Sequence, residues 1–417
     1  MPFMPKKMSD NKFICMIVDG SYPQDIRVRK EAEALTDFGK KIIVVCPRKK
    51  NQAKQEIVNG VQVYRIGSNY TTVKKGINDI VESVFNINPF FYFNLKKIFR
   101  KYSIEFLHVH DLPLAGTAYA FRKKVEKGLV LDLHENYPEA LKTWFSWKKS
   151  RLIRIKNMVF FNPKHWSKKE EKYCRKFDKI VCVVDEMKEK LINNFHIEEE
   201  KFTVISNYEK KNFAENFNTE VAQNIIDKDF FSITYVGGFG PHRGLDTAIR
   251  GMQKVLHQVP TAKLYLIGKG SADVENKLKD IVKQLKLENI VEFVGYRPFD
   301  EVATIMKKSN LNIIPHKAND HTDNTIPHKL FQIMMSKSLL LVSSCKPLKR
   351  IVQKYDAGLV FEAGNAEDFA LKVNNAFTNY DALKYKTENA YTAVMEKGEN
   401  WDEESLKLLK LYDKLEN

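Results

Sequence analysis

The chain repeats one grammar twice: short, almost wholly apolar runs, each followed by a loop and a helix-length segment. In the first half the runs are Phe13 to Val18, Lys41 to Cys46, Val61 to Ile66, Phe106 to His110, Leu129 to Leu133 and Ile180 to Val184. In the second they are Ser232 to Val236, Lys263 to Ile267, Ile290 to Phe293, Leu311 to Ile314 and Leu339 to Val342. Strands that are apolar on both faces and alternate with helices belong to parallel sheets covered on both sides. The expected fold class is therefore α/β, with two doubly wound domains. A length of 417 residues agrees, since one core rarely grows past about 250–300 residues.

The boundaries expected are 1–208, 209–395 and a closing helix, 396–417, docked across both domains. The polar stretch Tyr208 to Asp229 reads as the linker. In the tail, Leu406, Leu409, Tyr412 and Leu415 or their neighbours share one helical face, and Asp402 is placed to cap its start.

Charge divides unevenly. Residues 1–208 carry 39 Lys and Arg against 24 Asp and Glu, a net +15, whereas 209–417 carry 29 against 28, a net +1. The first half is thus expected to meet something anionic: nucleic acid, a membrane surface or an anionic substrate. Basic residues interleave with Trp144, Phe145, Trp147, Phe160, Phe161 and Trp166 between Trp144 and Lys176, a pattern suited to an anionic membrane surface. A solvated basic helix is the plainer alternative. The five cysteines are scattered and lack zinc-ligand spacing, the start lacks an apolar signal segment, and no run is long enough to span a bilayer. A reduced, cytoplasmic setting is expected, peripheral to the inner face of the plasma membrane if the basic segment docks there.

Four places in the second half are candidates to carry chemistry. Gly237, Gly238 and Gly240 follow a strand and precede a helix entered by Arg243 and Gly244 (GGFGPHRG). Glycines let a backbone approach a ligand, and Arg243 can hold a phosphate; a tight strand–helix turn is the alternative. Gly268-Lys269-Gly270 is not a dinucleotide fingerprint, because Asp273 stands at the last glycine's place. Val294 to Arg297 ends a strand where Tyr296 could hold a nucleobase. Finally, a helix is expected to open at Pro327, its N-terminus and Lys329 favouring a phosphate, with Gln332 one turn on.

In the first half, His108-Val109-His110-Asp111 and His134-Glu135-Asn136 end adjacent strands and are expected at one sheet edge. His108 is read as pointing away from His110, as a core histidine. Asp25 and Arg27 follow the first strand and are placed to face a ligand.

Taken together, DGSYPQDIRVRKEAEAL, VHVHDLP, DLHENYPEA, YVGGFGPHRGLDTAI, VEFVGYRP and NTIPHKLFQIMMSKSLLLV resemble a retaining glycosyltransferase of the GT-B fold, in glycosyltransferase family 4. The resemblance covers nearly the whole chain. It implies two Rossmann-like domains facing across a cleft, a nucleotide-sugar donor in the second and a glycan or lipid-linked acceptor in the first. The catalytic residues it implies are His134, Asp111, Arg243 and Lys329. Donor-binding residues would be Gly237, Gly238, Gly268, Tyr296, Asn324, Thr325 and Gln332, and acceptor-side residues Gly20, Asp25, Arg27, His110 and Glu135. No metal or cofactor is expected. Asn324 and Gln332 stand where the family carries two glutamates, and Gly238 where it carries a basic residue. Two other readings remain: a catalytically silent glycosyltransferase-like partner and, from the charge alone, a nucleic-acid-binding protein.

Overall fold

A computed structural model describes residues 12–67, 72–144, 160–215 and 225–416. The chain forms two compact units, one from Met1–Leu141, Ile155–Ser206 and Ser405–Asn417, the other from Lys142–Arg154 and Asn207–Glu404.

The first unit holds eight strands: β1 (Lys12–Ile17), β2 (Ile42–Pro47), β3 (Gln55–Val58), β4 (Val61–Ile66), β5 (Ser103–His110), β6 (Gly128–Leu133), β7 (Lys179–Cys182) and β8 (Phe202–Val204). They lie in the order β3-β4-β2-β1-β5-β6-β7-β8, parallel except for the β3–β4 hairpin. That hairpin was not expected. Its turn is Asn59-Gly60, both at positive φ (48° and 79°), the mirror-image geometry that matches strand twist.

The second unit holds β9 (Phe231–Val236), β10 (Ala262–Ile267), β11 (Val291–Gly295), β12 (Leu311–Ile314), β13 (Leu339–Ser343) and β14 (Leu359–Phe361). Their order is β11-β10-β9-β12-β13-β14, parallel throughout. Central strands such as β6, β12 and β13 are buried along their whole length, which is why they read as unbroken apolar runs. Each fully buried Val, Leu or Ile there contributes about 1.5–3 kcal/mol of transfer free energy.

In both sheets the strand order reverses direction beside the first strand, between β1 and β5 and between β9 and β12. Loops leave the carboxyl ends of those strands in opposite directions and open a crevice. Gly20 and Asp25 follow β1 and Asp111 follows β5; Gly237 to Arg243 follow β9 and Pro315-His316 follow β12. The candidate site residues of each unit therefore fall at its reversal point.

Several local expectations are corrected. The helix beyond β12 spans Lys329–Met335, not a segment opening at Pro327. Leu330 N–H already bonds Pro327 C=O (3.1 Å) and Phe331 and Gln332 N–H bond His328 C=O, so this first turn offers few free donors. In the closing helix, Trp401–Glu416, the buried face is Trp401, Glu404, Ser405, Leu408, Leu411 and Tyr412, whereas Leu406 is exposed. Its start is capped by Asn400, which accepts from Glu403 N–H (3.1 Å); Asp402 instead accepts from Lys211 N–H. The expected linker is packed into the second unit. Asn207 donates to Ile326 C=O (3.0 Å), Tyr208 meets Phe331 edge-on at 4.5 Å, and Phe213, Ile225 and Ile226 are buried. Residues 216–224 lie outside the described residues.

Candidate active site

In the first unit the centre is Asp132, on β6 and fully buried. Its carboxylate accepts from Arg27 Nε (3.1 Å) and Nη2 (3.0 Å) and lies 3.1 Å from His134 Nε2 and 3.3 Å from His110 Nδ1. Burial alone would raise its pKa; Arg27 and His134 together hold it well below the ordinary carboxylate range. The other His134 nitrogen is 3.4 Å from Asp111, which also accepts from His134 N–H (3.2 Å). Burial opposes protonation of His134, but the two carboxylates prevail and lift it to about 10, so it is an imidazolium at neutral pH. His110 is kept neutral by burial and by His108. Asp111 has φ 67° and ψ 153°, a sparsely populated conformation for a residue with a side chain. The strain sets its carboxylate against His134 at the end of β5.

Three sequence expectations change here. Arg27 does not face a ligand: it is 4% exposed, bound to Asp132, 3.0 Å from Glu31 and donating to Ile205 C=O. His108 does not point away from His110; the two rings stack at 4.4 Å. Alternation along a strand puts residues i and i+2 on one face. Asp25 caps the helix Ile26–Asp37, accepting from Val28 N–H (3.2 Å), and Gly20 abuts its carboxylate. Glu135 is half-buried beside His134 in sequence.

Glu31, His108, His110 and Asp132 present potential ligand atoms within 4.8 Å of one another. Arg27 already supplies a positive charge between the Glu31 and Asp132 carboxyl groups, at 3.0 Å from each. A dication would add charge beside that guanidinium, so the residues do not fit a metal.

In the second unit the loops beyond β9, β10 and β11 are stitched together. Gly237 N–H bonds Ile267 C=O (2.8 Å), Gly268 N–H bonds Gly295 C=O (2.8 Å) and Phe239 N–H bonds Lys269 C=O (2.9 Å). Gly237 and Gly268 sit at φ 139° and 136°. A side chain on Gly268 would collide with Gly237 C=O, and one on Gly237 with the Lys329 amine. These glycines are therefore obligatory for the close approach of backbone to backbone and to lysine. Gly238 is exposed at the tip.

Lys329 Nζ lies 3.9 Å from the Tyr235 ring centroid, is buried and has no hydrogen-bond partner. Burial, and then Arg243, push its pKa well below the ordinary lysine value. Arg243 meets His316 Nε2 at 3.0 Å across the crevice between β9 and β12. His316, His242 and His321 are all held neutral, first by burial and then by Arg243, His242 down to about 2 and His321 to about 4. Among the described residues, the charge that acts on Lys329 beside its burial is Arg243. Gln332 is buried and donates to Glu209 Oε2 (2.8 Å). Asn324 is buried with its amide on Asp320 C=O (2.6 Å), Thr325 is half-buried, and the Tyr296 ring is 67% exposed.

Two family descriptions match successive parts of the chain: "Glycosyltransferase Family 4" over residues 25–208 and "Glycosyl transferases group 1" over residues 216–393. The chain belongs to glycosyltransferase family 4. Two uncharacterized glycosyltransferases of Methanocaldococcus jannaschii are similar to this family 4 protein. One, MJ1607, is 25% identical over 239 residues, 56% of this chain and 59% of its own length; the other, MJ1178, is 24% identical over 322 residues, 77% and 78%. Among solved structures, sucrose-phosphate synthase from Thermosynechococcus elongatus aligns with TM-score 0.78 at 17% identity, covering 97% of this chain and 99% of that one. Anabaena HepE in complex with UDP-glucose aligns with TM-score 0.73 at 12% identity, with the same coverages. The fold of this family 4 glycosyltransferase is GT-B.

Sequence reasoning missed Asp132, Glu31, Glu209 and the three histidines around Arg243. The visible signal for Asp132 was a lone acid inside an apolar strand. The aromatic and basic segment is also corrected where it can be followed. Trp166 is buried, Lys169 is buried with its amine on Ser83 C=O, and the exposed residues of that helix are cations such as Lys168, Lys172, Arg175 and Lys176. Residues 145–159 lie outside the described residues. Among the described residues no helix is long and apolar enough to cross a membrane.

Proposed function

We propose that this glycosyltransferase is a retaining enzyme that moves a sugar from a nucleotide-sugar, with a uridine diphosphate sugar the first donor to try, to a glycan or lipid-linked glycan in cell-surface polysaccharide or glycoconjugate synthesis. The observation that carries the reading is the buried Lys329 amine, without a hydrogen-bond partner, next to Gly237 and within electrostatic reach of Arg243. Two basic side chains and exposed glycine backbone suit a diphosphate. HepE, solved with UDP-glucose, supports the choice of base.

As the glycosyl–phosphate bond breaks, negative charge grows on the leaving diphosphate. Arg243 and Lys329 stabilise it, and Tyr235 and His316 hold those two side chains in place. The acceptor's hydroxyl proton passes to the departing phosphate oxygen. His134, an imidazolium clamped between Asp111 and Asp132, offers a fixed positive charge and leaves the Asp111 carboxylate, the more exposed of the two, open to a ligand.

Turnover measured with a panel of nucleotide-sugars tests the reading. Arg243→Ala is expected to lower kcat/KM by about a hundredfold with the competent donor; unchanged turnover removes Arg243 from the site. A second reading, a silent partner subunit, draws on the neutral Asn324 and Gln332. Glu209, however, keeps a carboxylate against position 332. Hydrolysis or transfer from any donor in the panel excludes silence.

The exposed cations of the helix Pro163–Lys176 are proposed to meet an anionic membrane surface. Flotation with anionic vesicles at low salt is expected to carry the protein upward, and its absence ends that proposal.

A further inference from the structure

A second basic site lies in the first unit, away from the histidine and aspartate cluster. Between the β3–β4 hairpin and the helix Pro89–Lys101 is a cavity of about 420 Å³. Five cations, Arg48, Lys54, Arg65, Lys97 and Lys101, line it, and none of its lining residues is acidic. Arg65 is 5% exposed. Its Nη2 donates to Tyr22 C=O (3.0 Å) and pairs with Glu56, while its Nε is buried without a hydrogen-bond partner. Tyr64 and Tyr102 form the ring-bearing wall, their hydroxyls hydrogen-bonded to each other, with Lys101 Nζ 3.4 Å from the Tyr64 hydroxyl and 4.9 Å from the Tyr102 centroid.

The charge asks for an anion, and the volume, hydroxyls and aromatic edges suit one or two sugar rings better than a bare ion. A recessed cavity, not a flat face, also disfavours a bilayer. Arg48 follows β2 and Gly67 follows β4, so the cavity reaches the same sheet edge as Asp111. In the strand order β4 stands three spacings, roughly 14 Å, from β5.

We infer that this cavity binds a saccharide bearing a phosphate or carboxylate, as an anionic sugar of an extended acceptor held apart from the reacting end. The anion follows from the cavity itself; the role as part of an acceptor rests on the glycosyl-transfer reading.

Isothermal titration with glucose 6-phosphate and glucuronate, with glucose and inorganic phosphate as controls, tests it on the full chain. The charged sugars are expected to bind at low salt and to weaken as salt rises, while glucose does not bind. Lys97→Glu with Lys101→Glu should weaken them about tenfold or more, with the melting temperature and uridine diphosphate binding unchanged. Undiminished binding in that variant places the anion elsewhere and overturns the inference. Equal binding of inorganic phosphate, or of glucose, overturns the saccharide assignment, as does binding to anionic vesicles alone. Loss of charged-sugar binding in the variant upholds the site even if no donor in the panel is turned over.

Discussion

The Lys329→Met protein is expected to melt at a higher temperature than the wild type and to bind uridine diphosphate about a thousandfold more weakly. Folding carries the Lys329 amine out of water without giving it a hydrogen bond, a cost that an isosteric thioether does not incur. Methionine would keep the contact with Tyr235, since sulfur packs well against aromatic edges. Relief of that cost should stabilise by about 1–2 kcal/mol. The same substitution removes one of two cations from the wall, and loss of a buried charge partner typically costs about 2–5 kcal/mol of binding. Thermal melts and calorimetric titration check both arms. An affinity within a few-fold of wild type, or a lower melting temperature, would sink the assignment.

The sign of the pH dependence provides an independent check. The folded-state pKa of Lys329 lies below its ordinary value, so between the two the unfolded chain binds one more proton. Wild-type stability should therefore rise with pH across that window, while the methionine variant, lacking the group, stays flatter. The gap in melting temperature between them closes as pH increases. A bound diphosphate reverses the shift by favouring the charged amine, so nucleotide binding takes up a proton at a pH between the free and the bound values. Titrations in buffers of different ionisation enthalpy read that uptake, which the variant should lack.

What could be read from the residues divides along physical lines. The parallel strands were legible because burial on both faces forces near-continuous apolar runs, as in β6 and β12. Gln55–Val58 escaped because it is mostly exposed and follows no burial pattern, although Asn59-Gly60 announced its turn. The glycine loop was legible since Gly237 and Gly268 meet a demand only glycine satisfies. The role of Asp132 was not, because its meaning lies in its partners: Arg27 from the first helix, His110 from β5 and His134 beyond β6. Arg27 itself reads as a loop-proximal cation until the fold turns it inward. Likewise His316 and His321 sit on the loop beyond β12, and no spacing could bring them to His242 and Arg243, which follow β9.

Asp132→Ala is expected to cost the first unit about 3–5 kcal/mol, the range for breaking a buried ion pair from one side. The penalty comes less from the lost attraction than from what remains: a guanidinium 4% exposed and an imidazolium with only Asp111. The double variant Arg27→Met with Asp132→Leu should be markedly more stable than the sum of the singles, because removing both charges also removes their desolvation cost. Glu31 tolerates this, since burial, and then Asp132, raise its pKa to about 8 despite Arg27, and it is largely protonated at neutral pH. The pH profile follows the same logic. In wild type the stability held by Asp132 is present above the ordinary carboxylate range and is lost as pH falls through its depressed value. His134 contributes fully below its ordinary value of 6.5, and that part fades as pH rises toward about 10. Denaturant unfolding of Asp132→Ala across this range should show both limbs flattened. An unchanged profile, or a destabilisation under about 1 kcal/mol, would mean that the cluster does not hold the first unit together and that His134 takes its charge from elsewhere.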